Sequence, residues 1–198
     1  MHAALRTLRD EHAALSALLR TVMLMLAQSR ANGRAPDFGA LRAMLFYIAE
    51  FPEQRHHKKE SQLLFPLLRA RTPLARDVLD QLDQEHARGE ARVRELEHAL
   101  TAWEMLGATR ADAFERAMRR YEEFYFGHMA LEEEEILPLA EQALSETDWR
   151  HLDAEMAGEP DPLTGREPEA PYRALFARIL DLVPAPFGFG PPAAVPPS

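Results

Sequence analysis

Histidine and glutamate recur in this chain at the spacing of metal ligands. The candidate donors are two pairs and two single histidines: His56 with Glu60, His128 with Glu132, His12 and His86. A separation of four residues places both members of a pair on one face of a helix, where they can bind one ion or two neighbouring ions. Imidazole and carboxylate without thiolate suit iron, manganese or zinc. The pattern therefore predicts a metal site.

Three more residues are candidate ligands, each with a second interpretation. His57 lies about 100° around the helix from His56, so it either ligates in place of or beside His56 or sits next to the ligands. Glu90 also stands four residues after its histidine and is either a ligand or a solvated carboxylate. Glu133 belongs to the acidic run 132–135, which is typical of a solvated helix face.

Other polar residues are candidates for supporting the site. Glu11 and Glu85 each precede a candidate histidine and either hydrogen-bond a ligating imidazole or carry surface charge. Three tyrosines, Tyr47, Tyr121 and Tyr125, either line the site or pack in the core with a polar tip.

The composition leaves nitrogen and oxygen as the available ligand atoms. The 198 residues include no cysteine, which excludes disulfides, thiolate catalysis and iron–sulfur clusters. A net charge of -9 argues against a general nucleic-acid binder. No apolar run reaches the roughly 18 residues of a membrane helix, and the first residues form an amphipathic pattern rather than a secretory signal. We expect a soluble, cytoplasmic protein with no nucleic-acid or membrane partner.

Helices must position these residues, because apolar side chains recur at intervals of three and four almost throughout. Four long helices are predicted, over about residues 3–29, 37–69, 73–105 and 109–144. Pro52 should kink or break the second of them near Phe51. The short loops predict an all-α, up-down-up-down antiparallel four-helix bundle.

The C-terminal third has a different composition. A short helix is expected from residue 145 to about 156, and a last helix over about 170–183 carries one apolar stripe that should dock on the main body. From residue 184 the chain is Pro- and Gly-rich and is expected to be extended or disordered. The predicted parts are a bundle over 1–144, a packed helical extension over 145–183 and a tail over 184–198.

Counting from the predicted turns brings four histidines to one level. His12 and His56 each lie about 20 residues from the turn that joins their helices, or about 30 Å at 1.5 Å per residue. His86 and His128 each lie about 20 residues from Gly107. Antiparallel packing therefore brings all four together.

The chain also contains an internal repeat. Each half supplies a histidine, then His-x-x-x-Glu 44 or 42 residues later, then a proline ten residues after the second histidine, at Pro66 and Pro138. Two equivalent halves suggest two metal ions, with Glu60 and Glu132 in bridging positions.

With these motifs the chain resembles the hemerythrin-like, HHE cation-binding family. The resemblance lies within residues 1–144 and rests on Asp10-Glu11-His12, His56-His57-Lys58-Lys59-Glu60 with Leu64-Phe65-Pro66, Gln84-Glu85-His86, and His128 with Glu132-Glu133-Glu134. It implies a non-haem di-iron site with oxo or hydroxo and carboxylate bridges. The implied ligands are His12, His56, Glu60, His86, His128 and Glu132.

Two departures bear on function. Oxygen-carrying hemerythrins have His-x-x-x-His on the third helix, where this chain has Glu90, and their last bridging carboxylate would fall at Glu133 instead of Glu132. The extra carboxylate favours ferric or peroxide-reactive iron over plain reversible O2 carriage. The resemblance implies that the protein binds O2 or reacts with peroxide or NO in a stress response. An iron store or sensor, and an interaction module without turnover, stay open, as does whether the protein is an enzyme.

Overall fold

A computed structural model describes residues 2–158, 161–164, 170–182, 184–185 and 190–192. The first long segment is α1 (Ala3–Asn32). The second contains α2 (Phe38–Ile48), a π-helical turn (Ala49–His56), α3 (His57–Lys59), a second π-helical turn (Glu60–Leu64) and α4 (Phe65–Arg71). The third is α5 (Arg76–Leu106). The fourth contains a 3-10 turn (Ala108–Arg110), α6 (Ala111–Leu131), a π-helical turn (Glu132–Ile136) and α7 (Leu137–Ala143).

Shorter elements follow these four segments. They are α8 (Glu146–Met156), 3-10 turns at Pro162–Thr164 and Ala170–Tyr172, α9 (Arg173–Leu182), and a parallel ladder between β1 (Pro184–Ala185) and β2 (Gly190–Pro192). The predicted all-α class is confirmed, since the described chain is helical apart from this ladder. Residues 186–189 and 193–198 of the predicted tail lie outside the described residues. No helix in the described part is both long and apolar enough to cross a membrane.

Helix ends fall where the chain can satisfy free backbone groups. Gly33 closes α1 with a φ of 61°, a left-handed conformation that glycine adopts without strain. The Asp37 side chain accepts a 2.9 Å hydrogen bond from the Ala40 amide at the start of α2. Ser145 and Asp148 form a reciprocal capping box at the start of α8. These caps end one segment and begin the next within a few residues.

Prolines accompany all three π-helical turns. Pro52 lies inside the first, and Pro66 and Pro138 stand in the first turn of the α-helices that follow the other two. Proline has no N–H and its ring clashes with the carbonyl four residues earlier, and the wider turn accommodates it. Of the two predicted outcomes near Phe51, a break is absent, because the segment stays helical and widens locally into a π-helical turn.

The apolar core consists of two clusters that lie at different positions along helix α1. One contains Leu15, Leu18 and Leu19, and the other contains Leu5 and Leu8. Helix α9 contributes Phe176 and Ile179 to the first cluster, and α8 contributes Trp149 and Leu152 to the second. Between Leu8 and Leu15, α1 carries buried Glu11 and His12. A polar layer therefore lies between the two apolar clusters.

Candidate metal centre

Four helical segments deliver imidazoles and carboxylates to this polar layer. His12 comes from α1, His86 from α5 and His128 from α6. His56 ends one π-helical turn and Glu60 begins the next. Glu132 begins the third. All six predicted positions therefore meet in one place.

The donors fall into two groups whose ligand atoms lie within 4.8 Å of one another. The first group is His12, His56, Glu60 and Glu132; the second is His86, His128, Glu60 and Glu132. Within each group the two imidazole Nε2 atoms approach closely, at 3.0 Å between His12 and His56 and 3.1 Å between His86 and His128. Both glutamates belong to both groups.

Each of the two glutamates directs one oxygen to each group. Glu132 Oε2 lies 3.2 Å from His12 Nε2, and its Oε1 lies 3.3 Å from His128 Nε2. Glu60 Oε1 lies 3.3 Å from His56 Nε2, and its Oε2 lies 3.5 Å from His86 Nε2. The side chains of both glutamates are 0% exposed.

These carboxylates are not satisfied by hydrogen bonds within the described chain. None of the four oxygens of Glu60 and Glu132 has a hydrogen-bond partner there, although imidazole nitrogens lie close to them. Buried carboxylates without partners are costly. Imidazole nitrogens and carboxylate oxygens that converge at 3.2–3.5 Å without hydrogen-bonding one another fit cations at a shared centre.

Comparison with known protein families agrees with this donor set. Residues 3–140 match the family model described as the hemerythrin HHE cation binding domain. The chain belongs to this family. Comparisons with curated proteins and with solved structures found no match. The hemerythrin HHE domain extends from the start of α1 into α7, so it includes every segment that supplies a donor.

Outside the centre of this hemerythrin HHE domain, each imidazole of the two groups has a partner at Nδ1. The pairs are His56 with Glu11 at 2.8 Å, His128 with Glu85 at 2.7 Å, His12 with Glu133 at 2.9 Å and His86 with Ser61 at 2.8 Å. An acceptor at Nδ1 holds the proton there and leaves the Nε2 lone pair for a metal. Glu11 and Glu85 therefore orient imidazoles, as one of the two interpretations predicted, and Glu133 does the same from a half-exposed position.

The structure places the candidate ligands His57 and Glu90 in different surroundings. His57 is buried and forms a third group with His86 and His128, with its ring stacked on His86 at 4.0 Å between centroids. Glu90 points away from the centre: its side chain is 61% exposed and pairs with Arg94 at 3.2 Å. The prediction that Glu90 ligates metal is therefore corrected.

A buried carboxylate that the sequence interpretation missed lies beside His57. Glu53 Oε1 accepts a hydrogen bond from the Tyr121 hydroxyl at 2.9 Å and another from Tyr125. Its Oε2 lies 3.2 Å from His57 Nδ1. The signal was present, because Glu53 and His57 have the same four-residue separation as the ligand pairs. The third tyrosine, Tyr47, bonds Asp161 instead.

Protonation differs among the imidazoles. Burial lowers the pKa of His57 to about 4, against the opposing effect of Glu53, so this ring is neutral at pH 7. Burial also acts to lower the pKa of His128, but Glu132 and Glu85 outweigh it and raise that pKa to about 9. The pKa of Glu132 falls well below its usual range because His128 and His12 outweigh the effect of burial.

A cavity of about 410 Å³ opens between α1 and α6 beside one of the groups. His12, Glu133 and Met129 line this cavity, together with Arg9 and Arg20. It therefore connects the surface with the imidazole of His12. Met129, the residue after His128, lines the same cavity as His12, so an apolar side chain and not a third imidazole lies on the side of the first group.

Proposed function

We propose that this hemerythrin HHE domain is an up-down-up-down four-helix bundle that holds two iron ions bridged by Glu60 and Glu132. The remaining ligands would be His12 and His56 for one ion and His57, His86 and His128 for the other. The observation that supports this best is the division of each glutamate, one oxygen to each group, at 3.2–3.5 Å from imidazole nitrogens. Residues 145–183 would pack on the bundle as an extension.

We propose that the partner of the site is a small molecule, O2, peroxide or NO. Iron held by these residues would supply the electron exchange that such molecules need and that zinc lacks. The chain contributes a layer shielded by two apolar clusters and imidazoles held at Nδ1. The cavity beside His12 offers a small ligand an approach to the ion that has two imidazoles instead of three. A cytoplasmic location and a role in stress defence stay predictions.

A second candidate function is reversible iron storage or sensing. The same donor groups could hold iron for this purpose, because imidazoles and carboxylates bind the ion whether or not it reacts further. A store needs no chemistry beyond this reversible binding.

Metal analysis together with an absorption spectrum tests the proposal. We expect about two iron ions per chain and ferric charge-transfer absorption that changes when peroxide, azide or NO is added. His128→Ala should lose iron and melt at a lower temperature, because a bound ligand stabilises the folded state. His98→Ala is the matched control, since His98 is exposed on α5.

The outcomes separate the candidates. A loaded protein whose stability depends on iron but whose spectrum ignores peroxide and NO would favour the store or sensor. A His128→Ala variant that retained both ions would refute the site.

A further inference from the structure

The two halves of the internal repeat differ at the residue that follows His56 in one half and His128 in the other. An offset of 72 residues relates His56 to His128 and Glu60 to Glu132. The same offset relates His57 to Met129. His57 joins the group of His86 and His128 on the far side of the centre, whereas Met129 contacts Ser16 Oγ through its sulfur at 3.8 Å. One half therefore has three imidazoles and the other has two.

Glu53 is the buried carboxylate that lies next to the His57 ring. It follows Pro52 in the first π-helical turn, so the widened turn determines where its carboxylate lies. The two tyrosine hydroxyls both donate to Oε1 and prevent the carboxylate from rotating. Oε2 lies 3.2 Å from His57 Nδ1, an ion-pair distance, and neither atom has a hydrogen-bond partner within the described residues.

Helix α5 has a glycine, Gly89, at the position that faces this carboxylate. A Cβ atom at Gly89 would lie 1.7 Å from Glu53 Oε2 and 2.6 Å from its carboxyl carbon. Any side chain at position 89 would therefore displace the carboxylate. Glu53 thus occupies the face of α5 next to the centre, and Glu90 lies on the outer face.

We infer that Glu53, seated against Gly89 and held by Tyr121 and Tyr125, is a positioning residue that makes His57 a metal ligand and the two ion sites unequal. This inference rests on the proposed function. A carboxylate at Nδ1 accepts the ring N–H and leaves the Nε2 lone pair available. Stacking on His86 constrains the plane of the His57 ring, and the carboxylate is the group that favours the Nδ1–H tautomer.

Two variants remove the acceptor by different routes. In Glu53→Gln the amide oxygen can still accept from the tyrosines, and the NH2 group then faces His57 Nδ1. The ring proton moves to Nε2, where it blocks metal binding. Gly89→Ala keeps the carboxylate but forces it away. Glu90→Gln, at the adjacent exposed position, is the matched control.

Anaerobic titration with Co²⁺, followed by calorimetry and by the cobalt absorption bands, gives the affinity of each ion. We expect two ions of unequal affinity in the wild type. Glu53→Gln should weaken one of the two by about 10- to 100-fold and leave the other unchanged. Gly89→Ala should do the same, and Glu90→Gln should change neither. Circular dichroism of the apoproteins checks that the variants fold.

Failure of this inference can be told apart from failure of the proposed function. A wild type that binds fewer than two ions overturns both. A wild type that binds two, with Glu53→Gln at wild-type affinity for each, overturns the role of Glu53 alone. Equal weakening of both ions by Glu53→Gln would mean a general charge effect and would also overturn it. Glu53→Gln preserves side-chain volume, so these results do not depend on Gly89→Ala folding.

Discussion

Loading the empty site with a divalent cation at pH 7 should release protons from its imidazoles. His128 has a pKa of about 9, and the pKa values of His12 and His56 are raised by their glutamate partners against the effect of burial. His128 therefore carries a proton on the metal-free protein at pH 7, whereas a metal requires the neutral form. His57, with a pKa of about 4, has no proton to release. We expect at least about one proton per chain, from His128.

The energetic effect can be worked out for His128. At pH 7 its pKa of about 9 lies two units above the solution pH. Each unit corresponds to about 1.36 kcal/mol, so removing this proton opposes binding by about 2.7 kcal/mol, or about 100-fold in affinity. The side chain is 2% exposed, so solvent screening reduces this figure little. Affinity should rise with pH up to about 9 and then level off.

Calorimetry in buffers of different ionisation enthalpy measures the released protons directly. Titrations with Co²⁺ at pH 6, 7, 8 and 9 give both the proton count and the change of affinity with pH. His128→Gln should release about one proton fewer at pH 7. His98→Gln should match the wild type.

A pH-independent affinity with no proton release would refute this reasoning. It would mean that the imidazoles are already neutral in the empty protein and that Glu60 and Glu132 are neutralised in some other way. A count that fell in His57→Gln as much as in His128→Gln would refute the assignment of a neutral His57.

Three further changes test the fold. Ser145→Ala removes the cap of α8 and should lower the free energy of unfolding by about 1 kcal/mol in urea melts. Leu82→Ala opens a cavity at a fully buried position and should cost about 2–5 kcal/mol, whereas Leu74→Ala, at an 80% exposed side chain, should cost almost nothing. Burial raises the pKa of Asp161 to about 6, despite the hydrogen bond from Tyr47. The stability that the protonated carboxyl contributes below pH 4 is therefore lost as the pH rises through 6. Between pH 4 and 7, the free energy of unfolding of Asp161→Asn should rise relative to that of the wild type by up to about 3 kcal/mol, measured by thermal melts.

The clustering of the candidate donors could be predicted from the sequence because it depends on local spacing. A separation of four residues placed Glu60 with His56 and Glu132 with His128, and the repeat indicated which helices face each other. The all-α class followed from periodicity in the same way. The four-residue spacing and the periodicity are properties of single helices, and the level of the histidines follows from antiparallel helices of similar length.

Contacts between segments could not be predicted in this way. Glu90 has the correct spacing from His86, but Glu53 from another segment occupies the inner face of α5 beside Gly89. The direction of His57 depends on the π-helical turns around it, whose side-chain angles differ from the 100° of an α-helix. Pro52 predicted a kink or a break, because its clash with the preceding turn is evident from the sequence, whereas its relief by a wider turn is not.

The two apolar clusters have a consequence for the cooperativity of folding. Each draws leucines from α1 and has its own C-terminal helix, α9 for one and α8 for the other. The polar layer between them is therefore the boundary between two potential foldons that share the same four helices. Ions bound to donors from all four helices would tie these foldons together. Bound metal would then make the two apolar clusters unfold together as one cooperative unit.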